Sequence, residues 1–157
     1  MGSLKLPAID PADVKSEQST NYPEPYASRV RGRHRRRLGN AAGLKNFGVN
    51  LVTLEPGAES AMRHVHARQD EFVYVIEGEI TLVTNAGRQK LVPGMAAGFA
   101  AGNGDAHHLI NETSQPVRYL EVGDRTAGDG VVYPDVDMAA TLVAGEWVFT
   151  HKDGTPY

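Results

Sequence analysis

Two histidines and a glutamate carry the chemistry most legible in this chain: His64-Val-His66, with Glu71 five residues further on. On a β-strand, residues two apart leave the same face, so both imidazoles project from one side. The segment between His66 and Glu71 leaves room for a tight turn. Residues 72–76 form an apolar run that reads as the returning strand, closed by a turn at Glu77-Gly78. An antiparallel pair of this kind can bring two imidazoles and one carboxylate to a single point. Neutral imidazole and carboxylate are the ligands that suit first-row divalent metals, so the expected feature is a metal site.

The surrounding elements read as short strands. Residues 47–54 alternate in part and end at the turn signature Glu55-Pro56-Gly57. Strands follow over 62–66, 71–76 and 79–84, and the last meets 89–92 across the loop Asn85-Ala-Gly87-Arg88. Pro93-Gly94 makes another turn before a small-residue strand over 95–100. After the loop Gly102-Asn-Gly104-Asp105 come strands over 107–111 and 117–122. No segment from 47 to 122 keeps a 3.6-residue apolar period, and many short, evenly spaced strands imply a sandwich or barrel.

The flanks differ in texture. Residues 1–28 form an arm broken by Pro7, Pro11, Pro23 and Pro25, with a helix start at Asp10-Pro11 and a short helix expected over 11–18. Ile9, Val14, Tyr22 and Tyr26 give the arm side chains to pack on the barrel or a partner subunit. Residues 29–37 hold six arginines, which leaves the rest of the chain acidic. Without interleaved aromatics or a nucleic-acid fold, the run reads as a solvated segment paired with that acidic remainder rather than as a nucleic-acid patch, and it would fit a phosphorylated or acidic substrate only if it reaches the barrel mouth. The tail after Gly123 is polar, with one strand expected over 146–150 and Trp147 taken as packing.

At 157 residues, with 41% hydrophobic and 22% charged content, the chain has the make-up of one soluble domain with an arm. No apolar run reaches the roughly 18 residues that a membrane span needs. The N-terminus shows no secretory h-region, and Leu6 occupies the position where a myristoylation signal needs Ser or Thr. With no cysteine, disulfides and thiolate ligands are excluded. Cytoplasm is the default location. The formal charge of −3 gives no reason to expect nucleic acid as a partner.

Here a family resemblance enters. His64-x-His66, four residues, Glu71, six residues, Gly78 resembles the first motif of the cupin superfamily, with Gly57 ahead of it. Gly94, Ala100-Ala-Gly102, His107 and Asn111 resemble the second motif. Ala100 stands where the family has proline, and two extra residues precede His107. The resemblance covers about residues 44–124, and the whole chain is similar to small bacterial single-domain cupins with such an arm and tail. It implies an all-β double-stranded β-helix barrel at 44–124, an arm at 1–43, and a tail at 125–157 packing on the barrel. It also implies His64, His66, Glu71 and His107 on one divalent metal, and a homodimer. His107 is preferred to His108 because it keeps the family's three-residue gap to Asn111, and the two cannot both face inward on a regular strand.

Strand alternation then carries Met62, Val73 and Val75 inward, with Leu109 and Asn111 beside His107, giving a mostly apolar pocket. Arg63, Phe72, Tyr74 and His108 point to the outer face or to a neighbouring sheet. Three imidazoles and a carboxylate leave a divalent metal at net +1, and iron, manganese, nickel, zinc and copper all suit the set. The leading expectation is an enzyme using that metal as a Lewis acid on a small oxygenated metabolite, a sugar or keto acid, in isomerase, epimerase or lyase chemistry. The alternatives are an O₂-dependent dioxygenase and a non-catalytic small-molecule-binding or sensing module. Asp105, His108, Tyr119 and Glu121 are the candidates for moving a proton.

Overall fold

The computed structural model describes residues 4–157. The arm contains a 3₁₀ turn at Pro11–Asp13, strand β1 (Ser16–Glu17), helix α1 (Tyr26–Arg29), strand β2 (Arg33–Arg36) and helix α2 (Leu38–Ala41). The central strands are β3 (Phe47–Leu54), β4 (Val65–His66), β5 (Glu71–Glu77), β6 (Ile80–Thr84) and β7 (Gly87–Leu91). They continue with β8 (Ala96–Phe99), β9 (His108–Ile110) and β10 (Val117–Asp124). The tail adds β11 (Gly130–Tyr133), β12 (Met138–Val143) and β13 (Glu146–Thr150). No helix among the described residues is long and apolar enough to cross a membrane.

One wall is a six-stranded sheet in the order β1-β2-β3-β10-β5-β8, and the other is built from β13-β12-β11-β4 and β7-β6-β9. His64 and His107 stitch the two smaller sheets together: each backbone N–H donates to the other's carbonyl, at 3.0 and 2.8 Å. The segment before His64 runs along β9, Ser60 donating to the Leu109 carbonyl and Asn111 to that of Ala58. Residues 61–63 bulge out of this ladder, which is why the strand expected over 62–66 shrinks to two residues.

Alternation sets the inside of the barrel. On β5, Val73 and Val75 are 5% and 1% exposed, whereas Phe72, Tyr74 and Ile76 are each more than 40% exposed. Val52 and Leu54 from β3, Ile80 and Leu82 from β6, Leu109, Val117 and Tyr119 complete this core. Burial of each large aliphatic side chain there contributes about 1.5–3 kcal/mol. Gly78 makes the β5–β6 turn at φ +80°, with Val117 Cγ2 3.0 Å from where a Cβ would stand, so both conformation and space select glycine.

A second core lies between arm and tail, where Val30, Met62, Val131, Tyr133, Met138 and Ala140 pack with Tyr22 and Phe149. The flanks therefore do more than cover the barrel. β1 and β2 extend the six-stranded sheet, and β11 pairs with β4 in the register Val131↔His66. The tail holds three strands rather than one, because β11 and β12 form a hairpin at Tyr133–Met138 whose buried residues alternate. Residues 11–18 do not continue as a helix. Asp10 caps a single 3₁₀ turn, and Ser16 and Glu17 pair with Arg36 and Arg35 instead. The β6–β7 loop closes to Asn85-Ala86, since Thr84 already pairs with Gly87.

The arginine run is the largest departure from the expected solvated segment. Residues 33–36 form a strand paired with β3 (Arg33↔Leu54, Arg35↔Val52), which turns Arg33 and Arg35 to the interior side. Arg33 is only 8% exposed. The expected pairing with acidic groups holds for Arg29, Arg31 and Arg37, which meet Glu59, Glu24 and Glu17.

Candidate metal centre

His64 and His107 are direct cross-strand partners, and such partners share a face of the sheet. His66, two residues along, shares it as well. Glu71, the first residue of β5, reaches across from the opposite wall. The result is convergence on one atom: Glu71 Oε2 lies 3.3 Å from His64 Nε2, 3.6 Å from His66 Nε2 and 3.1 Å from His107 Nε2. His64, His66 and Glu71 alone offer ligand atoms that all lie within 4.8 Å of one another. His107 joins the group through Glu71.

Each imidazole is held by different means. His64 Nδ1 lies 2.8 Å from the Met62 carbonyl, which can only accept, so Nδ1 carries the proton and Nε2 presents its lone pair. His66 Nδ1 donates in the same way to the fully buried Asp129, whose other oxygen accepts from the Arg68 N–H at 2.8 Å. The His107 ring stacks on Phe99 with centroids 3.4 Å apart and planes 1° from parallel. Gly102 helps deliver it: the loop folds back so that the Gly102 N–H donates to the His66 carbonyl, at a φ of +69° that favours glycine.

Electrostatics follow from burial and crowding. Burial opposes the charge on Glu71, but His107, His64 and His66 outweigh it and hold its pKa well below the ordinary carboxylate range. Burial also works against a charged His64, and contact with Glu71 reverses this, lifting its pKa. For His107 burial wins and the pKa falls. Glu71 Oε2 and His107 Nδ1 are buried without a hydrogen-bond partner. An orphaned carboxylate oxygen about 3 Å from imidazole nitrogens is what ligands of a shared ion require, since ligand bonds of about 2.0–2.2 Å set neighbouring donors about 3 Å apart. The donor set therefore fits a divalent cation.

The group lies in a cavity of about 370 Å³, a size suited to a small metabolite. The wall is not the mostly apolar surface that the sequence suggests. Arg33, Arg35, Asn50, Tyr119, Glu121 and Tyr133 line it beside the histidines, because β2, β3, β10 and β11 turn polar side chains to the same interior. Trp147 also lines it, edge-on to the His66 ring at 5.9 Å, so its role extends beyond packing. Glu121 Oε1 accepts from Asn50 Nδ2 at 2.9 Å. The Tyr119 hydroxyl is buried without a partner, and burial pushes its pKa up.

Of the residues expected around the metal, Val73 and Leu109 line the cavity. Met62 and Val75 lie in the two packed cores, and Asn111 is fully buried with its Nδ2 donating to the Leu54 and Gln115 carbonyls. Among the proton-transfer candidates, Tyr119 and Glu121 face the cavity. Asp105 accepts from the Asn85 N–H, and His108 lies beside the Ala61 carbonyl and 3.4 Å from Glu59, buried rather than on an outer face. Asp129, Phe99 and the Arg33–Arg35 pair escape a sequence reading of the site. Only the alternation of Arg33 and Arg35 carries a signal that could have found them.

Comparison with known proteins agrees with this architecture. The cupin domain family matches residues 50–123. A crystal structure of a cupin-superfamily sugar phosphate isomerase from Silicibacter pomeroyi superposes with a TM-score of 0.93 at 43% identity, covering 96% of each chain. A candidate sugar phosphate isomerase from Acidithiobacillus ferrooxidans gives a TM-score of 0.72 at 31% identity over 80% of each chain. The polyketide cyclase RemF from Streptomyces resistomycificus shares the fold at 22% identity, with a TM-score of 0.63 over 76% of this chain and 80% of that one. Among curated proteins nothing matches.

Proposed function

Because this chain belongs to the cupin superfamily, we propose that it is a metal-dependent enzyme that isomerises or epimerises a small sugar-like metabolite. The observation that carries this reading is the convergence of three imidazole Nε2 atoms on the orphaned Glu71 Oε2 inside a polar cavity. His64, His66, Glu71 and His107 hold the ion. A divalent ion held by His64, His66, Glu71 and His107 would supply Lewis acidity toward a substrate carbonyl oxygen. The likeness to structures of sugar phosphate isomerases supports a sugar as substrate.

The chain's own residues supply the proton transfer. Glu121 stands on the interior face of β10, next to Val73 of β5 in register, and Asn50 holds one of its oxygens. Its other oxygen is free of hydrogen bonds to described residues and the residue lines the cavity, which supports Glu121 as the base that takes and returns a carbon-bound proton. Tyr119, its pKa raised by burial, serves as a hydroxyl donor rather than as a base. Trp147 and Phe99 flank the histidines and keep water from part of the reacting face.

Solvent-deuterium exchange tests the reading. Metal-loaded protein is incubated anaerobically in D₂O with pairs of aldose and ketose phosphates, and ¹H NMR follows the hydrogen beside the carbonyl. Deuterium enters that position with wild-type protein, and Glu121→Gln slows it by about 100-fold or more, within the range that a general base contributes. His64→Ala abolishes exchange together with bound metal by elemental analysis. Turnover that requires O₂ would replace this reading with oxygenase chemistry.

A further inference from the structure

The cavity contains two charges that metal chemistry does not use. Arg33 and Arg35 are alternate residues of β2, so both guanidinium groups reach the interior. Among the described residues neither has a carboxylate within 4 Å, whereas Arg29, Arg31 and Arg37 of the same segment each have one. Arg33 is more than nine-tenths buried, and its one side-chain hydrogen bond among the described residues runs from Nη1 to the Ser60 carbonyl. Arg35 donates from Nη2 to the Ser19 carbonyl at 3.1 Å. A guanidinium has five donors, so each keeps most of its hydrogen-bonding capacity uncommitted.

This arrangement is costly without a ligand. Two like charges stand on one face, Arg33 buried and Arg35 half-buried, and burying an unpaired charge is strongly unfavourable. Burial, with the neighbouring Arg33 adding to it, lowers the Arg35 pKa. Of the carboxylates that share the cavity, Glu71 faces the imidazoles, Asp124 accepts from Thr126, and Glu121, bonded to Asn50 through one oxygen, offsets the charge of Arg35 only in part. Arg125 lines the same cavity from an exposed position, held by the Leu44 carbonyl and Asn40 Oδ1. The interior is thus left with two guanidinium groups that no carboxylate among the described residues contacts directly, and one of which Glu121 offsets only in part.

We propose that Arg33 and Arg35 form an anion subsite that takes the phosphoryl group of the substrate. The charge favours phosphoryl over carboxylate: a phosphate ester carries roughly −1.5 to −2 near neutral pH and matches two guanidinium groups, whereas a carboxylate matches one. The position fits a bifunctional ligand. β2 is separated from β5, which carries Glu71, by β3 and β10, a distance of three strand spacings or roughly 14 Å between backbones. The long arginine side chains close much of that gap, leaving room for a short polyol between the metal group and the phosphoryl group. The subsite deepens the isomerase reading, on which its role in catalysis rests, yet anion binding itself does not require the metal.

Calorimetric titration of the full chain with inorganic phosphate, at fixed ionic strength, tests this with and without prior chelation. The expected result is phosphate binding in both forms, about 10-fold to 100-fold weaker in Arg35→Gln and unchanged within twofold in Arg31→Gln, which alters an exposed arginine paired with Glu24. Acetate should bind at least 10-fold more weakly than phosphate. A phosphate-dependent rise in the wild-type melting temperature gives the same information without any variant. Absence of phosphate binding, equal affinity in Arg35→Gln, or acetate binding as tight as phosphate overturns the proposal. Phosphate binding that disappears on chelation overturns the subsite and leaves the metal reading standing. Phosphate binding retained beside an unchanged metal content in His64→Ala does the reverse.

Discussion

Asp129→Asn isolates the orientation of one ligand from the ligand itself. Asp129 is fully buried and touches the site only through His66, whose Nδ1–H it accepts. Asparagine has nearly the same shape, and with its amide oxygen on the Arg68 N–H it keeps that 2.8 Å bond. The amide NH₂ then faces His66 Nδ1, and two donors oppose each other. The imidazole must either turn or move its proton to Nε2, and a protonated Nε2 cannot bind a metal. Loss of a carboxylate behind a ligating histidine typically costs 10-fold to 100-fold in metal affinity, or about 1.4–2.8 kcal/mol.

The measurement is competition between apo-protein and a chromophoric chelator for Zn²⁺ or Mn²⁺, at a pH where the histidines are neutral. Wild type, Asp129→Asn and the exposed control Asp153→Asn are compared at equal concentration, with far-UV circular dichroism to verify folding. Asp153 bonds only Thr155 at the surface, so its variant should match wild type. An Asp129→Asn affinity within twofold of wild type, at unchanged stoichiometry, would refute the reasoning, because the His66 tautomer would then not depend on the carboxylate.

Two further changes probe the scaffold. Gly78→Ala should destabilise the fold by about 1–3 kcal/mol in urea unfolding, since its φ is +80° and a Cβ would meet Val117 Cγ2 at 3.0 Å; an unchanged midpoint would show that the turn relaxes freely. Tyr119→Phe removes a buried hydroxyl that has no partner, so stability should hold or rise by up to about 1 kcal/mol; a comparable loss would mean that ordered water satisfies the hydroxyl.

The readable part of the site was the part written locally. His64 and His66 obey a period of two, and Glu71 opens the next apolar strand after one turn, so parity alone put three donors on the barrel interior. The same parity separated Val73 and Val75 from Phe72, Tyr74 and Ile76. Asp129 was not readable, because the pairing of β11 with β4 brings it to a histidine 63 positions away, and nothing near Gly128-Asp-Gly130 signals a buried carboxylate. Phe99 reaches His107 through a loop whose length departs from the usual motif. The arginine run failed for another reason. Its composition does not show that only residues 33–36 are a strand, and it is alternation within that strand that sends Arg33 and Arg35 inward while Arg36 turns to the Ala12 and Val14 carbonyls.

That failure bears on how the molecule divides its work. The matched cupin segment, residues 50–123, contains His64, His66, Glu71 and His107 together with Glu121. It excludes Arg33 and Arg35 on β2, Asp129 and Tyr133 near β11, and Trp147 on β13, all of which touch the same cavity or its histidines. These outer residues reach the site because β2 adds to the edge strand β3 and β11 adds to β4, and edge addition is the cheapest way for a flanking segment to join an existing sheet. Residues proposed to hold the ion thus sit on the barrel with one of them, His66, braced from the tail by Asp129, whereas Arg33 and Arg35, proposed to meet the far end of a ligand, arrive wholly from the arm. On this division, changes in the arm at Arg33 and Arg35 should alter which anion binds and leave metal content unchanged, whereas changes in the tail at Asp129 should alter the metal as well.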